Sequence, residues 1–119
     1  EICTYNNMMN YQTLISLEVI FQVLSSPTRM QILELLASGT RCVNCIAEET
    51  ELNQPTISQH LRVLRMAGLV TTEKEGKFVH CSVCKETLEM VADYLRDLAE
   101  RTGECSSEKH ECKIDEAAK

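Results

Sequence analysis

The stretch from Cys45 to Gly68 leaves this chain few ways to fold. It holds two short segments of helical character, Cys45 to about Leu52 and a second carrying Ile57, Leu61, Leu64 and Ala67, with only Asn53-Gln54-Pro55-Thr56 between them. Pro55 suits the first turn of a helix, where a missing N–H is no loss, and Gly68 suits the residue that stops one. Asn44 is expected to cap the first segment, with Glu48 and Glu49 in its early turns, where the helix dipole favours carboxylates. Two short helices joined by a tight polar turn make a helix-turn-helix.

The flanking segments complete the architecture. Leu14, Leu17, Ile20, Phe21 and Leu24 recur at helical spacing from Met8 to Leu24, and Ser25-Ser26-Pro27 breaks the pattern. Ser26 can cap a second helix with Pro27 at its first position, and Met30, Ile32, Leu33, Leu35 and Leu36 give it a buried face that ends at Ser38-Gly39. Thr40 to Val43 is too short for a helix and reads as a brief strand. Behind the helix-turn-helix, Leu69 to Thr72 and Lys77 to Val83 have strand composition, and Glu73-Lys74-Glu75-Gly76 turns the chain between them. A β-hairpin in that place is a wing. From Glu86 to Arg101, Leu88, Val91, Leu95 and Leu98 form a narrow seam suited to pairing with another helix, so a homodimer is expected. The expected fold is mainly α with a small β-wing: a winged helix-turn-helix over residues 8–102, dimerised through its terminal helices. Residues 103–119 read as a flexible, acidic, cysteine-containing tail.

Length and charge narrow the function. A chain of 119 residues supports one core, which excludes a multidomain enzyme. No apolar run is long enough to span a bilayer, and Glu1 is not followed by a basic flank and cleavage site, so a cytoplasmic protein with no membrane partner is expected. The net charge of −6 opposes DNA binding only until its distribution is seen. Between Gln54 and His80 four cations face two anions, whereas from Lys85 to Lys119 six face ten, so the negative charge lies mostly away from the helix-turn-helix and wing.

A recognition helix buries one face and offers short polar groups and cations on the other. With Ile57, Leu61 and Leu64 inward, the outward set is Gln54, Thr56, Ser58, Gln59, Arg62 and Arg65, joined by Lys74 and Lys77 from the wing. Gln59 is the candidate base reader, since a carboxamide pairs bidentately with adenine; Arg62 and Arg65 suit phosphate or guanine. His60, on the same helix, reads as a structural residue. The competing reading is a winged helix that touches only protein and holds a structural zinc. The expected partner is double-stranded operator DNA.

Seven cysteines in a chain without secretory signals read as reduced thiols. Cys42-Val43-Asn44-Cys45 and Cys81-Ser82-Val83-Cys84 are both C-x-x-C pairs, and Cys105 and Cys112 sit in the tail beside His110. These six are the candidate ligands. Paired thiolates suit soft ions: trivalent arsenic or antimony is favoured, with zinc, cadmium, lead and copper(I) as further candidates. If the short strand pairs with the second wing strand, Cys42 approaches Cys81 and four sulfurs can converge. Closure of a pair to a disulfide gives a redox-sensing alternative, and burial as a small hydrophobe a bland one, most of all for Cys81. Cys3 reads as idle. A thiol-disulfide oxidoreductase is disfavoured because neither pair lies in a βαβ context.

The run from Leu52 to Val70, LNQPTISQHLRVLRMAGLV, resembles the recognition segment of the ArsR/SmtB family of metal- and metalloid-responsive repressors. Leu24 to Leu33 and the wing Glu75-Gly76-Lys77-Phe78-Val79-His80 are similar to that family as well, so the resemblance covers roughly Ile20 to Val83. It implies a homodimeric winged-helix repressor, without catalysis, that leaves its operator when an inducer binds. Cys42 falls at the first cysteine of the C-x-C pair of arsenic- and cadmium-sensing members, Asn44 stands at the second, and Cys45 follows it. Asp93 and Asp97 on the last helix have no histidine partner at helical spacing, unlike the ligand set of zinc-sensing members.

Overall fold

In the computed structural model residues 11–103 are described, with side chains from Ser16 onward. Helix α1 (Tyr11–Leu24) turns Leu17, Ile20 and Val23 inward. Ser26 then takes an extended backbone, and its hydroxyl accepts the Arg29 N–H at 3.4 Å; with Pro27 at the first position this starts α2 (Pro27–Ala37). Ile32, Leu33 and Leu36 are the buried stripe of α2.

Strand β1 (Arg41–Cys42) is shorter than the sequence suggests, because Val43 already belongs to α3 (Val43–Thr50). The cap of α3 is Cys42 rather than Asn44. Pairing with the wing holds Cys42 extended (φ −82, ψ 161), so the helix begins directly after it, and the thiol sulfur accepts the Cys45 N–H at 3.4 Å. Helix α3 ends on Glu51 in the left-handed region, and α4 (Gln54–Met66) opens three residues later behind Asn53, whose Oδ1 accepts the Thr56 N–H at 2.9 Å. Gly68, at φ +80, turns the chain into the hairpin of β2 (Val70–Glu75) and β3 (Phe78–Val83). The sheet order is β1-β3-β2, all antiparallel, with Arg41 opposite Cys81 and Cys42 opposite His80. Helix α5 (Lys85–Glu100) follows.

One core unites these pieces. Ile32, Ile46, Ile57, Leu64, Leu69, Val70 and Cys81 are completely or almost completely buried, so α2, α3, α4 and the sheet share their apolar faces. Arg29, on α2, fastens the end of α1 to α4: its Nη1 donates to the Val23 carbonyl at 3.0 Å and its Nε to His60 Nδ1 at 3.4 Å. His60 is thus half-buried and structurally engaged, as its position in the sequence implied. On α5 only Val91 of the expected seam is buried; Leu88, Leu95 and Leu98 are exposed, as are Val19 and Phe21 on α1. Phe21 and Tyr94 bring these two helices together, their ring centroids 6.4 Å apart. The start of the expected first helix at Met8 and the expected tail beyond Gly103 lie outside the described residues. Among the described residues no helix is long and apolar enough to cross a membrane.

Candidate nucleic-acid interface and thiol pair

The amphipathic pattern of α4 sorts its side chains by physical necessity. Ile57, Leu61 and Leu64 anchor one face in the core, and Gln54, Ser58, Gln59, Arg62 and Arg65 are left exposed on the other, with Thr56 half-buried at its first turn. Lys74 and Lys77 are exposed on the hairpin. Phe78 is 51% exposed at the base of the wing tip, which sequence reading left out of the interface. Its signal was the alternation along β3, where Val79 and Cys81 face in and Phe78 must therefore face out.

A groove of about 220 Å³ joins the two elements. Its lining comes from the β1–α3 joint (Cys42, Val43, Asn44), the first two turns of α4 (Gln54, Ser58) and the wing (Lys77, Phe78, Val79). Asn44, expected as a helix cap and at the second position of the C-x-C comparison, lines this groove as well.

Cys42 and Cys45 are free thiols with their sulfurs 3.1 Å apart, Cys42 half-buried and Cys45 exposed. The two sulfurs share one hydrogen bond and the Cys45 N–H points at the Cys42 sulfur too, which together hold the Cys42 thiol below its ordinary pKa. The same shared proton, with burial behind it, pushes Cys45 up. The pair is seated by Arg41, which donates to the Leu35 carbonyl at 3.2 Å, to Ser38 Oγ at 3.1 Å and to Glu49 at 2.9 Å, tying the end of α2 to the last turn of α3.

The other cysteines are not gathered here. The register sets Cys81 against Arg41, inside the core, where burial and then the nearby Cys42 charge raise its pKa. Cys84 lies past the end of β3 as the cap residue of α5, with its sulfur 3.6 Å from Glu86 Oε1 and 3.4 Å from the Thr87 hydroxyl, which donates to the Gly68 carbonyl at 2.6 Å. The expected convergence of four sulfurs is therefore not met: among the described residues no three His, Cys, Asp or Glu groups meet at one point. Strand β1 does pair with β3 as expected, but strand alternation and burial carry Cys81 inward, and the strand's length carries Cys84 away. Cys3, Cys105 and Cys112 lie outside the described residues.

Two thiols on one turn make a usable chelate. A tetrahedral ion with bonds of about 2.3 Å spreads two sulfurs to roughly 3.7 Å. A small opening of the present 3.1 Å spacing reaches that span, and a free rotor on an exposed helix end supplies it.

Residues 26–72 match the family described as bacterial regulatory protein, arsR family. The chain is 36% identical over 64 residues to the transcriptional repressor SdpR of Bacillus subtilis, covering 54% of this chain and 71% of that protein. It is 43% identical over 60 residues to an arsenical resistance operon repressor of Staphylococcus xylosus, covering 50% of this chain and 58% of that one. The homodimeric winged helix-turn-helix DNA-binding domain of Mb0332 from Mycobacterium bovis, a possible ArsR-family transcriptional regulator, superimposes with a TM-score of 0.62 at 31% identity, covering 73% of this chain and 81% of that one. Over 58 residues the chain is 50% identical to an uncharacterised HTH-type transcriptional regulator from Methanocaldococcus jannaschii, and the match spans 48% of this chain and 65% of that one.

Proposed function

We propose that this chain, which belongs to the arsR family of bacterial regulatory proteins, is a homodimeric DNA-binding transcriptional repressor released from its operator when a soft metal or metalloid occupies Cys42 and Cys45. It is a regulator and not an enzyme. The observation that carries the reading is the free thiol pair at the start of α3, one helix ahead of the recognition helix, with Cys42 in the same groove as that helix's first turns.

On this reading Gln59 contacts a base edge, Arg62 and Arg65 meet guanine or phosphate, and Gln54, Thr56, Ser58, Lys74 and Lys77 hold the backbone. Few cations per subunit make each half-site weak, so the dimer supplies affinity by engaging two half-sites at once. The exposed leucines of α5 and the apolar residues of α1 are the natural faces for that pairing. Release needs little energy: about 3 kcal/mol of differential affinity lowers DNA binding by about two orders of magnitude. Thiolates select soft ions such as arsenite, antimonite, zinc, cadmium, lead or copper(I), and the staphylococcal relative and one from Escherichia coli, both named arsenical resistance operon repressors, favour arsenite among them, with antimonite next as its chemical analogue. Cys81, Cys84, Cys105 and Cys112 remain candidates for further ligands.

The 3.1 Å sulfur separation supports a second reading, an oxidative signal. Two thiols and one hydrogen peroxide give a Cys42–Cys45 disulfide and two waters, with a contraction of about 1 Å between the sulfurs.

Anisotropy of a labelled operator duplex separates the two readings when arsenite, antimonite, zinc, cadmium and peroxide are titrated one at a time. The expected result is release by a soft ion in the presence of reductant, lost in the Cys42→Ser/Cys45→Ser variant. Release by peroxide alone transfers the assignment to the redox reading.

A further inference from the structure

The groove beside Cys42 raises a question about how release happens. It is lined in part by the thiol that receives the signal and in part by Gln54, Ser58 and Lys77, three of the groups assigned to the DNA backbone. A sensor that works at a distance has no need of such overlap. Here the sulfur and the DNA-facing donors border one space of about 220 Å³, closed on the wing side by Phe78 and Val79.

We propose that this groove is a single site with two mutually exclusive occupants, the operator's sugar-phosphate backbone and whatever group the Cys42–Cys45 thiols carry. The inference rests on the repressor reading above and specifies its regulation: the adduct displaces DNA by standing where a phosphate must lie. Bridging of the two sulfurs is then not required. A single bulky or anionic group on Cys42 suffices, because it fills the space beside Gln54 and Ser58 and sets negative charge next to Lys77, the cation that a phosphate would use. Mutual exclusion is also reciprocal, so bound DNA must shield the thiols to the same degree that adducts weaken DNA binding.

Two measurements on the full chain test this. In the first, iodoacetamide labelling of each cysteine is followed by peptide mass spectrometry with and without saturating operator duplex. Labelling of Cys42 and Cys45 should slow by about tenfold or more, while Cys84, at the opposite end of β3, changes by less than about twofold. In the second, the Cys45→Ser variant, which cannot chelate through this pair or close the disulfide, is treated with oxidised glutathione. The Cys42 thiolate attacks the glutathione S–S bond, a Cys42–glutathione disulfide forms, and one glutathione thiolate leaves and takes up a proton. Operator affinity should fall by about tenfold or more relative to the same variant untreated, and dithiothreitol should restore it. Unchanged labelling under bound operator, or full affinity in the glutathionylated variant, overturns the shared groove while leaving ion-induced release of the wild-type protein standing. A wild-type protein that binds no operator, or that no soft ion releases, overturns the repressor reading and the shared groove with it.

Discussion

The guanidinium of Arg41 lies 2.9 Å from the Glu49 carboxylate and spans from the end of α2 to the last turn of α3, so the helix that follows Cys42 and carries Cys45 is fixed from behind by one side chain. The pair is partly exposed, at 29% and 40%, so its charge alone adds little. Glu49→Gln should therefore cost less than about 1 kcal/mol in urea denaturation. Arg41→Met, which also strips the bonds to Leu35 and Ser38, should cost about 1–2 kcal/mol. Equal losses in the two variants would mean that the ion pair, and not the backbone anchoring, holds α3.

Glu51 is the one non-glycine residue with positive φ among the described residues, at +60, in the turn between α3 and α4. A side chain there crowds the following carbonyl. Glu51→Gly should relieve this and raise stability by about 0.5–1 kcal/mol, seen as a higher melting temperature with operator affinity unchanged.

The thiols should titrate apart. Cys42 is held below its ordinary value by the hydrogen bonds it shares with the Cys45 thiol and N–H, whereas Cys45 and Cys81 are raised. The pH profile of alkylation should place the midpoint for Cys42 lowest, with buried Cys81 almost unreactive, and Cys45→Ala should move the Cys42 midpoint upward. The same shift has a sign for stability. A depressed folded-state pKa contributes stability that is present above the unfolded thiol's pKa and is lost as pH falls through the lowered value. Cys45 and Cys81 act in the opposite sense.

Dimerisation should respond to the exposed leucines of α5. Leu95, 48% exposed, contributes little to the monomer's core, so Leu95→Glu should leave circular dichroism intact while sedimentation shifts toward monomer. Operator affinity should fall with it, because one recognition helix then engages one half-site.

DNA contacts should separate into readers and holders. Gln59→Ala should cost about 1–3 kcal/mol on the cognate operator and relax preference at one base position. Lys77→Ala should weaken cognate and unrelated duplexes alike and reduce the salt slope by about 1 per subunit. A sequence-independent loss from Gln59→Ala would remove it as a reader.

Much of this protein was legible in the chain because its signals are local. Ser26-Pro27 and Asn53 with Pro55 mark helix starts through capping and fixed φ, and the spacing of Ile57, Leu61 and Leu64 decides which face of α4 is left for DNA; each acts within a turn or two of backbone. The thiol site was decided at longer range. Pairing of β1 with β3 keeps Cys42 extended, and that made Cys42 the cap in place of Asn44, brought its sulfur to Cys45, sent Cys81 into the core and left Cys84 at another helix. Register is set by what the sheet must bury, a property of the whole core and not of either C-x-x-C motif, so two identical spacings in sequence became one pair in sulfur contact and one divided between the core and a helix cap.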